Sequence, residues 1–146
     1  MKRNALLAIV AGGLAAGIID LTQALILFGP RVPFGIAAGL LGRQAVHGGG
    51  VSMYVLGVFL HFFIAFSAAA VYYVASRSLE FLKQHWLICG LVYGAAVDQV
   101  MTLIVLPLSA LHARGPYKLH DLILGISVHM VTVGLPISFS IRRFAK

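Results

Sequence analysis

Apolar positions along this chain fall into long unbroken runs instead of an alternating or amphipathic pattern. Four runs, at approximately 5–28, 51–74, 86–108 and 120–141, approach or exceed the roughly 20 residues that cross about 30 Å of hydrocarbon. In lipid such a segment must be helical, because no water is present to satisfy its backbone polar groups. The pattern predicts an all-α, polytopic membrane four-helix bundle, with residues 1–146 forming one transmembrane domain.

The connections differ in kind. Between the first two runs, Gly29 to Gly50 carries Pro30, Pro33 and the triplet Gly48-Gly49-Gly50. Within it, the apolar segment 34–42 is far too short to span. It predicts a short interfacial or re-entrant helix, with a surface turn capping the bundle as the alternative. The stretch 80–84 is short and polar, and 109–118, with Gly115-Pro116, reads as an external loop.

Composition agrees with this picture. The chain is 60% hydrophobic and 10% charged, with a mean hydropathy of +0.97, which leaves too little polar surface for a soluble domain. Its formal charge of +7 does not argue for nucleic acid, because the basic residues sit at the ends of the apolar runs. Lys2, Arg3, Arg77, Lys83, Arg142, Arg143 and Lys146 fall on one side, and Arg31, Arg43, Arg114 and Lys118 on the other. The bias predicts cytoplasmic N- and C-termini and attraction to anionic lipid. The first run exceeds the 7–15 apolar residues usual in a secretory signal, so it is expected to be retained. Cys89, the single cysteine, allows no intrachain disulfide.

The runs also carry ionisable residues, which are expensive at membrane depth. Gly13-Leu-Ala-Ala-Gly17 precedes Asp20, and Gly90-Leu-Val-Tyr-Gly94 precedes Asp98. Gly57 lies four residues before His61, and Gly125 four before His129. The chain therefore reads as two tandem halves, about 5–76 and 84–143, each an aspartate helix followed by a histidine helix. Each half crosses twice, so the repeats would be parallel, related about the membrane normal.

At 1.5 Å of rise per residue, His61, Asp98 and His129 lie roughly 2–3 Å from their helix midpoints and Asp20 about 5 Å from its own. Together with Gln23 they define a predicted intramembrane polar site near the bilayer centre. Gly13, Gly17, Gly57, Gly90, Gly94 and Gly125 are the predicted helix-packing positions, since glycine lets backbones approach closely. Asp20 and Asp98 are expected to bond His61 and His129. Such pairs can exchange protons near neutral pH, which suggests proton or ion relay, or a binding site for a small cationic solute or metal. The alternative is a structural or assembly protein whose polar layer only registers the helices. A further alternative is haem held between His61 and His129, with Gly57 and Gly125 opening space beside them. Enzyme signatures are missing: there is no Gly-x-Ser-x-Gly, HExxH, phosphate-binding glycine loop or CxxC. His47, His85, His112, His120, Trp86, Tyr117 and the Tyr72-Tyr73 pair are expected in the interfacial belts. A homo-oligomer or a membrane-protein partner is left open.

Gly90-Leu-Val-Tyr-Gly94 running to Leu106-Pro107-Leu108, and Gly125-x3-His129 with its Arg142-Arg143 ending, resemble the second half of YagU-like bacterial inner-membrane proteins. More broadly, the chain resembles small four-helix bacterial membrane proteins. The resemblance covers about half of the chain. It implies the bacterial cytoplasmic membrane and carries over no catalytic motif.

Overall fold

A computed structural model describes residues 3–145; Lys2 and Lys146, which enter the charge argument, lie outside them. The described residues form helices joined by turns and loops, without strands. Four helices are long and apolar enough to cross a bilayer, as in a multi-pass membrane protein: α1 (Asn4–Phe28), α4 (Gly50–Ser78), α6 (Trp86–Leu108) and α7 (Leu119–Phe144). Between them lie the shorter helices α2 (Val32–Leu41), α3 (Arg43–Val46) and α5 (Phe81–Gln84). The spans match the four apolar runs, except that α4 continues past Val74 to Ser78 and α7 to Phe144. Helical backbone satisfaction does not stop where the apolar residues do.

α1 ends where Gly29 adopts φ 86° and its N–H donates to Leu25 O at 3.0 Å, a left-handed cap that glycine supplies without strain. Pro30 follows and cannot continue the helix. α1 and α4 run uninterrupted, whereas α6 and α7 each contain one wide turn, Met101–Val105 and Met130–Gly134. In these turns Leu106 N–H reaches back to Met101 O, and Leu135 N–H to Met130 O. Each wide turn stands just before a proline, Pro107 or Pro136. A proline ring has no N–H and crowds the carbonyl four residues earlier, so the helix widens upstream of it.

α1 packs between α4 and α7, and α7 packs between α1 and α6. Small residues set these distances. A Cβ on Gly134 would overlap the Gly90 carbonyl and come within 2.8 Å of Gly94 N, so α6 and α7 touch backbone to backbone. On α1 the glycines work differently: Gly13 and Gly17 receive the rings of Phe66 and Phe62 from α4. The end at which α1 begins and α7 finishes is closely filled by Ala8, Ala69, Tyr72, Ile137 and Ile141. Tyr72, expected in an interfacial belt, is instead 1% exposed and donates to Leu82 O at 3.0 Å. Its ring stands edge-on to Tyr93 with centroids 4.9 Å apart.

The opposite end is hollow. There α2 lies along α4, burying Pro33, Ala37 and Ala38. Gly57, expected to open space beside His61, is instead the seat of α2, because a Cβ there would overlap the Pro33 carbonyl. The loop after α6 is tied to α2 where Ala110 N–H donates to Gly39 O at 2.8 Å. Around the outside, large apolar side chains such as Ile26, Val51 and Leu108 are 77–80% exposed. This is a surface suited to acyl chains and not to water.

Candidate functional site

At the hollow end lies an open cavity of about 840 Å³ bounded by α1, α2, α4, α6 and α7, and Asp20, His61 and His129 line it. Apolar side chains including Leu60, Ile64, Val97 and Met101 make up most of the remaining wall.

Asp98 stands behind His129 and is 5% exposed. Its Oδ1 lies 3.2 Å from His129 Nδ1, and its Oδ2 accepts from Gln99 Nε2 at 3.1 Å. His129 Nδ1 also lies 2.9 Å from Gly125 O. Both neighbours of this nitrogen are acceptors, so Nδ1 carries the hydrogen. The space that Gly125 leaves is occupied by the carboxylate itself: a Cβ at Gly125 would stand 2.8 Å from Asp98 Oδ1. The ring is thus held at Nδ1 by the Gly125 carbonyl with the Asp98 carboxylate beside it, and His129 lines the cavity.

The first half is built otherwise. His61 does not meet Asp20 through a hydrogen bond; its Nε2 lies 3.0 Å from Gly17 O. A carbonyl only accepts, so Nε2 carries the hydrogen and Nδ1 the lone pair. Asp20 reaches across to α7, where the Thr132 hydroxyl donates to its Oδ1 at 2.6 Å. That hydroxyl also lies 3.0 Å from Val128 O, and its single hydrogen goes to the nearer, charged acceptor. α7 therefore meets both aspartates, Asp98 by the close contact of His129 and Asp20 by the Thr132 hydrogen bond. These residues flank the start of the wide turn at Met130, which sets how far they rotate apart. Gln23, expected in the polar site, is not part of the cavity wall, and its Nε2 is buried without a hydrogen-bond partner among the described residues.

Gln99 and Thr132 complete the arrangement; single-helix reasoning places Thr132 on the inward polar face with His129 but does not assign its partner, and it does not assign Gln99. Thr132 lies three residues after His129 on the same face, and a proline inside each of two apolar runs was the available sign of the wide turns. For haem, His61 and His129 do line one cavity, but His61 Nε2 would first have to leave the Gly17 carbonyl. Among the described residues no group of three or more His, Cys, Asp or Glu side chains is placed to hold a metal ion. His47, His85, His112 and His120 are all exposed.

No known protein family, curated protein or solved structure matches the chain.

Proposed function

We propose that this is a bacterial inner-membrane protein, with cytoplasmic termini, that handles a small, largely apolar solute in the cavity beside its Asp/His layer. One observation carries the reading: three of the four ionisable residues expected near the bilayer centre line a single cavity of about 840 Å³. Ligand sites fall in the range of about 300–1,000 Å³, mostly apolar with a few convergent polar groups. A layer that served only to pack helices would be expected to close upon itself. The location and orientation rest on the distribution of basic residues and on the YagU-like resemblance. The parallel two-by-two repeat belongs to the same proposal, with α6 and α7 having diverged from α1 and α4 through their proline-linked wide turns.

Gly35 and Gly39 provide the test. Both line the cavity, and a Cβ would meet nothing within 4 Å at Gly35 and only Ser109 Cβ, at 4.0 Å, at Gly39. Leucine at these positions should fill the cavity while keeping the fold. Protein released from phosphatidylcholine nanodiscs with dodecanol should retain one dodecanol per chain in native mass spectrometry. The Gly35→Leu/Gly39→Leu variant should lose it with no loss of thermal stability. Wild-type protein that retains none, or a filled variant that retains as much, would return the polar layer to a packing role.

A further inference from the structure

The hydrogen atoms around the cavity specify the kind of solute that fits it, given that the cavity is a solute site. His61 lines the cavity and donates through Nε2 to Gly17 O at 3.0 Å, so in the tautomer with hydrogen on Nε2 alone its Nδ1 carries the lone pair. His129 donates through Nδ1 to Gly125 O at 2.9 Å, so in the tautomer with hydrogen on Nδ1 alone its Nε2 carries the lone pair. Asp20 Oδ1 holds the Thr132 hydroxyl, and Oδ2 has no hydrogen-bond donor among the described residues. The remaining polar side chain of the wall, Ser109, has its hydrogen committed to Leu106 O at 2.7 Å. Three acceptors line this cavity, with no free side-chain donor to match them.

Charge points the same way. Asp98 is 5% exposed and stands outside the cavity wall, whereas Asp20 lines it with one neutral hydroxyl and no ion pair among the described residues. A carboxylate within a membrane protein is expected to find a counter-charge, and the chain's Lys and Arg residues stand at the helix ends. A primary ammonium carries one positive charge and three hydrogen-bond donors and no acceptor. This matches the charge of Asp20 and the three acceptors together. An alcohol supplies one donor and no charge, and a carboxylate repeats the charge already present.

The body of the solute is set by the wall. Tyr93 ties α6 to α4, its hydroxyl donating to Ala68 O at 2.7 Å. On the hollow side of that tie, the cavity lies between the two helices. Wall residues there also face outward: Phe63 is 61% and Leu108 79% exposed. This gap faces the acyl chains, so an apolar tail can enter from the bilayer while its head reaches the polar layer. We propose that the cavity takes a membrane-borne lipophilic primary amine in its ammonium form, its nitrogen seated among Asp20, His61 Nδ1 and His129 Nε2.

Four dodecyl probes separate the requirements: dodecylammonium, dodecyltrimethylammonium (charge without N–H), dodecanol and dodecanoate. Binding to the protein in phosphatidylcholine nanodiscs, measured by calorimetry against empty nanodiscs, should favour dodecylammonium by about tenfold or more over dodecanoate and by several-fold over dodecyltrimethylammonium. Asp20→Asn should bring dodecylammonium down to about the level at which the same variant binds dodecanol. Equal or tighter binding of dodecanoate by the wild type overturns the proposal without recourse to a variant, as does an ammonium preference that survives in a folded Asp20→Asn protein. If dodecanol binds with no preference among heads, only the amine assignment fails. If no probe binds above empty nanodiscs, the solute cavity fails with it.

Discussion

Gly57→Ala adds a single methyl group, and its effect can be worked out from the seat of α2 on α4. The new Cβ would overlap the Pro33 carbonyl oxygen and stand 2.8 Å from Pro33 Cα. Ordinary contact begins at 3.4 Å, so Pro33 must withdraw by at least about 0.6 Å at its Cα and further at its carbonyl. The obstacle is backbone on both sides, and neither partner has a rotamer by which to escape. Overpacking of this kind costs about 1–3 kcal/mol. The substitution also removes a helical glycine, which returns up to about 1 kcal/mol. Gly35→Ala, on α2 itself, makes the same chemical change with nothing within 4 Å of the new Cβ. The gain from losing a glycine is common to the two variants, so their difference isolates the contact. Gly57→Ala should be less stable than Gly35→Ala by about 1–3 kcal/mol in reversible denaturation in mixed micelles. Trypsin gives an independent reading, because Arg31 and Arg43 bracket α2: cleavage there should quicken in Gly57→Ala and not in Gly35→Ala. Equal stability and equal cleavage of the two variants would show that α2 does not rest on Gly57, and the cavity would lose that wall.

Removing one side of the buried pair tests whether Asp98 and His129 interact energetically. His129→Leu should cost about 1–2 kcal/mol, and the double-mutant cycle with Asp98→Asn should return a coupling of about 0.6–1.7 kcal/mol. Additive losses in micelle unfolding would mean that the two only stand side by side. Tyr93→Phe removes the hydroxyl that joins α6 to α4 at Ala68 O, for an expected loss of about 1 kcal/mol. Spin labels placed on α4 and α6 at the hollow end should then show a broader distance distribution, and an unchanged distribution would mean that the tyrosine does not set the gap.

The polar layer shows how far sequence reasoning reaches here. The pairing of Asp98 with His129 was legible because both sit near the centres of consecutive spans, and consecutive antiparallel helices bring equal depths together. The same reasoning applied to Asp20 and His61 misplaced both partners. Asp20 bonds Thr132, 112 positions away, and His61 bonds a carbonyl, a group that every residue carries and no pattern singles out. The glycines were legible as positions of close approach, but their partners were not: a phenylalanine ring fills the space at Gly13, a carboxylate at Gly125 and the backbone of another helix at Gly57.

Hydropathy alone determined the four spans, because hydrocarbon obliges each apolar segment to satisfy its own backbone locally, whatever its neighbours. The position of each ionisable residue along its helix followed from the fixed rise of a helix. Which helices become neighbours, and how each is rotated, was decided only by tertiary packing. That packing depends on small differences in side-chain shape between segments that are all apolar, and lipid does not drive one apolar face towards the core in preference to another. The α4–α1–α7–α6 arrangement, the docking of α2 and the wide turns before Pro107 and Pro136 all lie at that level. So does the cavity, which exists because α2 holds the hollow end open beside the polar layer.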